Sequence, residues 1–196
     1  MTDSNTPNPT RRGFLLASSG AALTLAGCAN GLSTNGLGSN GAATIDARVA
    51  ETLNYLFATY PGAQAVRDKS NGMLVMPLVT EAGLGIGGAW GRGALLVDGV
   101  TVDYYSQAKA SVGFQVGAQQ YAHVLFFMTE DALQDFRYAS GWVAGADIKY
   151  AIRTEGDRFS ADTLAGTSPI VATVFGTTGL IIGATLEGSK YSRILP

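Results

Sequence analysis

The spacing of apolar and polar positions divides the chain into four stretches. A polar leader ends in Thr10-Arg11-Arg12-Gly13, and an apolar run follows from Phe14 to Ala26. Residues 29 to 44 then carry no charge and repeat Asn-Gly from positions 30, 35 and 40. Next, Ile45, Val49, Leu53, Leu56, Phe57 and Tyr60 recur at helical spacing, with Asp46 and Glu51 in the early turns and Pro61-Gly62 as the stop. That spacing predicts an amphipathic helix, and Gly62 to Ser70 predicts a short second one. From Gly72 onward the texture is that of strands.

Met73 to Val79 reads as a buried strand in which Pro77 marks an edge or a bulge. Ala94 to Val97 and Val100 to Ser106 flank Asp98-Gly99, a two-residue hairpin signal. The apolar run Tyr121 to Met128 is expected to be covered on both faces. Glu130 to Tyr138 reads as a short helix, with Thr129 as its cap and acids in its first turn. Asp147 to Arg153 alternates, so that strand has one wet face. Thr154 to Pro169 is a turn-rich loop, and Ile170 to Phe175 and Leu180 to Leu186 are two further strands. Together these elements predict an α+β fold: a strongly curved, barrel-like antiparallel sheet with one or two N-terminal helices and a short internal helix.

Composition narrows the function. The 196 residues suit one ordinary domain. Lys and Arg number 13 against 15 Asp and Glu, a formal charge of −2. A nucleic-acid binder needs a basic face, so that class is excluded. One cysteine and one histidine leave no disulfide framework and few metal-site options, and no metal or cofactor is expected. The 26 glycines are close to twice the usual share of ~7%.

The N-terminal stretches read as an address. The run from Phe14 to Ala26 is too short for the ~20 residues of a membrane-spanning helix. Positive charges before a short apolar segment make a signal peptide, and Arg11-Arg12 ahead of Phe14-Leu15 resembles the twin-arginine export signal. Leu25-Ala26-Gly27-Cys28 resembles the bacterial lipobox, in which the cysteine is lipidated and becomes the new N-terminus. Ala29, where Asp would retain a lipoprotein in the inner membrane, resembles sorting to the outer membrane. The expected organisation is a signal peptide over 1–27, lipidated Cys28 with a flexible tether over 28–44, and a folded domain over 45–196. The protein is then expected on the outer membrane, facing the periplasm.

Other motifs yield to simpler readings. Gly83-Leu84-Gly85-Ile86-Gly87-Gly88 spells G-x-G-x-x-G, with Asp103 at the distance of a ribose contact. The motif needs a helix N-terminus to hold a pyrophosphate, and Trp90-Gly91-Arg92-Gly93 leads into a hairpin instead. These glycines, with Gly113, Gly117, Gly141, Gly145 and Gly183, are read as sites of bending and close backbone approach. His123 sits in an apolar strand and is expected to be a buried structural histidine. Asp98, Asp103 and Asp147 are expected to be solvated, so no enzyme is expected.

The chain from Gly72 onward resembles the SYLF-domain family. The resembling pieces are Gly72-Met73-Leu74-Val75-Met76, the glycine ladder Gly83 to Gly93, Gly113 to Gln119, and Gly179-Leu180-Ile181-Ile182-Gly183-Ala184-Thr185-Leu186-Glu187-Gly188-Ser189. The resemblance implies non-catalytic binding of membrane lipid, with an N-terminal amphipathic helix and basic residues at the membrane. On this chain the helix contributes Leu53, Leu56, Phe57 and Tyr60 as lipid-contact candidates, while the favoured reading of its apolar face is that it covers the sheet. Lys149, Arg153, Lys190 and Arg193 are the candidates for an anionic headgroup. The alternative expectation is a structural or assembly protein that docks another envelope protein.

Overall fold

A computed structural model describes residues 41–145, 149–150, 168–176 and 186–196. The expected signal peptide with Arg11 and Arg12, the anchor Cys28, Arg153 and the strand over 180–185 lie outside these residues.

Two helices open the described chain. α1 runs Gly41–Thr59 and α2 runs Gly62–Arg67. α1 begins four residues before Ile45, inside the stretch expected to be tether. Ala42 and Ala43 carry no periodic signal but have the highest helix propensity, so the helix extends backward from its apolar stripe.

The sheet is built on one long hairpin. β1 spans Gly72–Val97 and β2 spans Val100–Phe127, antiparallel from Gly72 opposite Phe127 to Val97 opposite Val100. Asp98 and Gly99 turn it with φ of 50° and 77°, the left-handed pair that a type I′ turn requires. The expected short strands 73–79, 94–97, 100–106 and 121–128 are thus segments of two long ones. β2 carries the other strands on its far edge: β5, Ile170–Gly176, against Tyr121–Phe127, and β6, Lys190–Ile194, against Tyr104–Ala108. β3, Trp142–Val143, extends the sheet from β6. β4, Lys149–Tyr150, pairs with β5 in parallel, which among the described residues is the one departure from the expected antiparallel pattern. Between β2 and β3 lies α3, Glu130–Tyr138, with the Thr129 hydroxyl accepting from the Ala132 N–H at 3.2 Å.

Strand periodicity of two sends alternate residues to two cores. On the inner side of the curl, Leu74, Met76, Leu95, Tyr105, Leu125 and Phe127 pack with Leu133 and Phe136 of α3. The Phe136 ring lies 4.7 Å from Tyr105 and 4.9 Å from Phe127. On the outer side, Met73, Val75, Leu96, Val124 and Phe126 pack with Ile45, Val49 and Leu56 of α1 and with Val66 of α2. Both faces of Tyr121 to Met128 are therefore covered, as the apolar run requires.

The curl is tight enough that β1 doubles back on itself. A Cβ on Gly93 would overlap the carbonyl oxygen of Val75 and lie 2.6 Å from Met76 Sδ. A Cβ on Gly91 would lie 2.7 Å from the Leu78 carbonyl oxygen. The strand passes through the G-x-G-x-x-G stretch without forming a helix, so these glycines serve bending. Gly145, expected among the close-packed glycines, instead has open space where a Cβ would stand.

Candidate functional site

α1 is fixed to the sheet along its stripe. Leu56 is fully buried and Ile45, Val49 and Tyr60 nearly so, while Leu53 and Phe57 are half-buried against the same cluster. Each fully buried side chain of this size contributes ~1.5–3 kcal/mol. The start of the helix is latched as well: Asp46 accepts hydrogen bonds from Thr101 Oγ1 at 3.0 Å and from the Tyr104 hydroxyl at 2.8 Å. Burial, and then the bond to Asp46, push the Tyr104 phenol above its ordinary value. The apolar face offered to lipid by the sequence thus covers the sheet. Leu56→Ala is expected to cost ~2–5 kcal/mol by leaving a cavity, and Tyr55→Ala far less because Tyr55 is 42% exposed. Urea titration of the two variants checks the order.

At mid-helix the fit between α1 and the sheet is incomplete. β1 shifts register between Met76 and Val79, where Pro77 has no N–H for the ladder. Beside this bulge lies a slot of about 290 Å³. Its apolar walls are Tyr55, Pro77, Leu78, Tyr121, Ala122 and Phe175, and its polar residues are Glu51, Thr52 and Gln120. The Tyr55 and Phe175 rings stack at 5.9 Å and 25°.

Two further depressions are more polar. One of about 490 Å³ brings Leu53 and Phe57 together with Arg67, Asp68 and Asp98. There the Arg67 guanidinium sits 5.1 Å from the Phe57 ring centroid and pairs with Asp68 at 2.7 Å. The other, of about 450 Å³, is lined by Arg137, Tyr138, Ala139, Ser140 and Arg193.

The basic candidates do not form one patch among the described residues. Lys190 and Arg193 are both exposed but three positions apart on β6, so they project to opposite faces. Arg193 is held against the surface of the fold, 3.3 Å from Asp103, and donates to the Arg137 carbonyl at 3.0 Å. That places a cation at the C-terminus of α3, the negative end of its dipole. Asp103 also faces Arg137 at 3.7 Å; it is a clamp between β2, α3 and β6, neither solvated nor a ribose ligand. Lys149 lies in β4. Among the described residues no three His, Cys, Asp or Glu side chains gather as metal ligands.

His123 is sealed on the inner side of the curl. It is fully buried, and it shares a 2.9 Å hydrogen bond with the Tyr191 hydroxyl through Nε2. Burial holds its pKa down at about 3. An imidazole without access to a cleft has no substrate to reach.

Residues 108–193 match the family described as Ysc84, Las17-binding protein actin regulator. This match identifies a SYLF (Ysc84) domain in the chain. Gly113 to Gln119 and Gly179 to Ser189, two of the pieces that carry the sequence resemblance, lie within the match. Gly72 to Met76 and the glycine ladder lie ahead of it, on β1, the strand paired along β2. No individual curated protein matches the chain. Among the described residues, no helix of this SYLF protein is long and apolar enough to cross a membrane.

The slot residues Tyr55, Leu78, Ala122 and Phe175 are not among the candidates the sequence offers. Tyr55 stands next to the apolar stripe and reads as its flank. Pro77 was the one available signal, since a proline in a buried strand marks the bulge beside which the slot opens.

Proposed function

We propose that this SYLF protein is a lipid-anchored protein of the bacterial cell envelope whose domain binds membrane lipid without catalysing a reaction. Cys28 carries the acyl anchor, and Arg11 and Arg12 direct export through the twin-arginine route. The domain faces the periplasm from the outer membrane. The observation that carries lipid binding is the apolar slot open at the middle of α1, with half-exposed Tyr55 as one wall. The helix that holds the slot is also the first described element after the tether, so it stays near the membrane surface. Stable anchoring takes more than one acyl chain, and the lipobox resemblance implies two or three on Cys28.

The test is flotation of residues 38–196 with neutral and with anionic vesicles at two salt concentrations. The domain is expected to float without its anchor and with little dependence on salt, because the slot offers apolar area and, among the described residues, no cluster of cations. Absence of flotation on every vesicle removes the lipid reading. In the full chain, a tagged fatty acid is expected to label the wild type and not Cys28→Ser. The second reading, docking of another envelope protein, is favoured by the family description, which names a protein partner; co-purification of one stoichiometric partner without lipid would select it.

A further inference from the structure

Resting on the lipid-binding reading, we infer that the slot beneath Tyr55 takes the single chain of an amphiphile whose head carries no negative charge. Its size sets the first limit. At about 290 Å³ it stands at the lower end of the ~300–1,000 Å³ usual for ligand pockets. One alkyl chain fits that space and the two tails of a phospholipid do not.

The way the slot is built explains why it is open at all. Met76 pairs with His123 and Val79 with Tyr121, so Pro77 and Leu78 together face the single residue Ala122. The bulge turns two side chains toward one methyl group, and the space a larger side chain would fill is left between sheet and helix. Tyr55 and Phe175 close the sides with stacked rings, surfaces suited to an aliphatic chain.

Its polar residues set the second limit. They are Glu51, Thr52 and Gln120, and among the described residues no cation lines the slot. Glu51 is exposed on α1. Arg48, one turn earlier on α1, is exposed but does not line the slot, so Glu51 is the charge nearest the mouth and disfavours a carboxylate or phosphate head there. A hydroxyl-rich head is not repelled and can bond to Thr52 and Gln120.

Calorimetric titration of the full chain carrying Cys28→Ser, with monodecanoylglycerol below its aggregation threshold and decanoate in parallel, tests this. Monodecanoylglycerol is expected to bind one per chain, and decanoate at least tenfold more weakly at neutral pH. Ala122→Trp fills the slot and is expected to lower the affinity at least tenfold; Leu78→Trp replaces it should the first variant not fold. Glu51→Lys, on the exposed side of α1, is expected to narrow the gap between the two ligands at least fivefold. Failure of monodecanoylglycerol to bind, equal binding of decanoate, or unchanged binding by a folded slot-filled variant overturns the inference. If such a protein still floats with vesicles, the slot assignment falls while the lipid reading stands. If it neither floats nor binds, both fall.

Discussion

Gly93→Ala is expected to unfold the domain or cost on the order of 3 kcal/mol or more, the upper end of what overpacking does. The added methyl group would occupy the position of the Val75 carbonyl oxygen and press on Met76 Sδ. A flexible side chain can retreat, but the Val75 backbone is pinned by its ladder to Val124 and by core on both faces. Gly91→Ala meets the Leu78 carbonyl oxygen and Val79 Cγ2 at 2.7 and 2.9 Å and is expected to cost less than Gly93→Ala but more than a surface change. Gly145→Ala meets nothing within 4 Å and is expected within ~0.5 kcal/mol of the wild type. Urea denaturation of the three variants gives the order. A Gly93→Ala protein as stable as the Gly145→Ala one would mean that β1 does not double back as described.

What was legible in the chain was whatever local chemistry dictates. Thr129 caps α3 because a hydroxyl there meets the free N–H groups of the first turn, and Asp98-Gly99 turns the hairpin because both positions need positive φ. The stripe from Ile45 to Tyr60 announces α1 and, with its apolar face, an inward direction for it. β6 was not legible: Lys190-Tyr191-Ser192-Arg193-Ile194 is mostly polar and becomes a strand by pairing with Tyr104 to Ala108, more than eighty residues away. The unbroken length of β1 was hidden by its glycines, which locally disfavour a strand and are required here by contacts between Gly93 and Val75. The slot is the least local feature of all, since Tyr55, Leu78, Ala122 and Phe175 come from α1, β1, β2 and β5. A bulge at Pro77 can be read from sequence; what faces it cannot. The same limit applies to Lys190 and Arg193, whose closeness in sequence suggested one headgroup site and whose strand parity separates them.

The stability of the domain is expected to fall as the pH drops from about 6.5 toward 3, with His123 responsible for a separable part. In the folded protein the imidazole is fully buried, 5.9 Å ring to ring from Tyr191 and 6.1 Å from Tyr121. Burial disfavours the charged form and lowers the pKa from 6.5 to about 3. The unfolded chain exposes the ring and takes up its proton near 6.5. Between these values the unfolded state binds one more proton than the native state, so stability rises with pH across the window. The contribution is complete above 6.5, declines by up to ~1.4 kcal/mol per pH unit below it, and levels off once the native ring also protonates near 3. His123→Gln keeps a polar group for the Tyr191 hydroxyl and removes the titration. Between pH 7 and 4.5 the wild type should therefore lose about 2–3 kcal/mol more than the variant, with the carboxylates common to both cancelling in the difference. Because the chain has one histidine, its imidazole C–H resonances report the same event directly in the folded protein. A folded-state titration near 6.5, or equal pH slopes for the two proteins, would show that His123 is open to solvent. It would also return the imidazole to the list of groups able to act on a substrate.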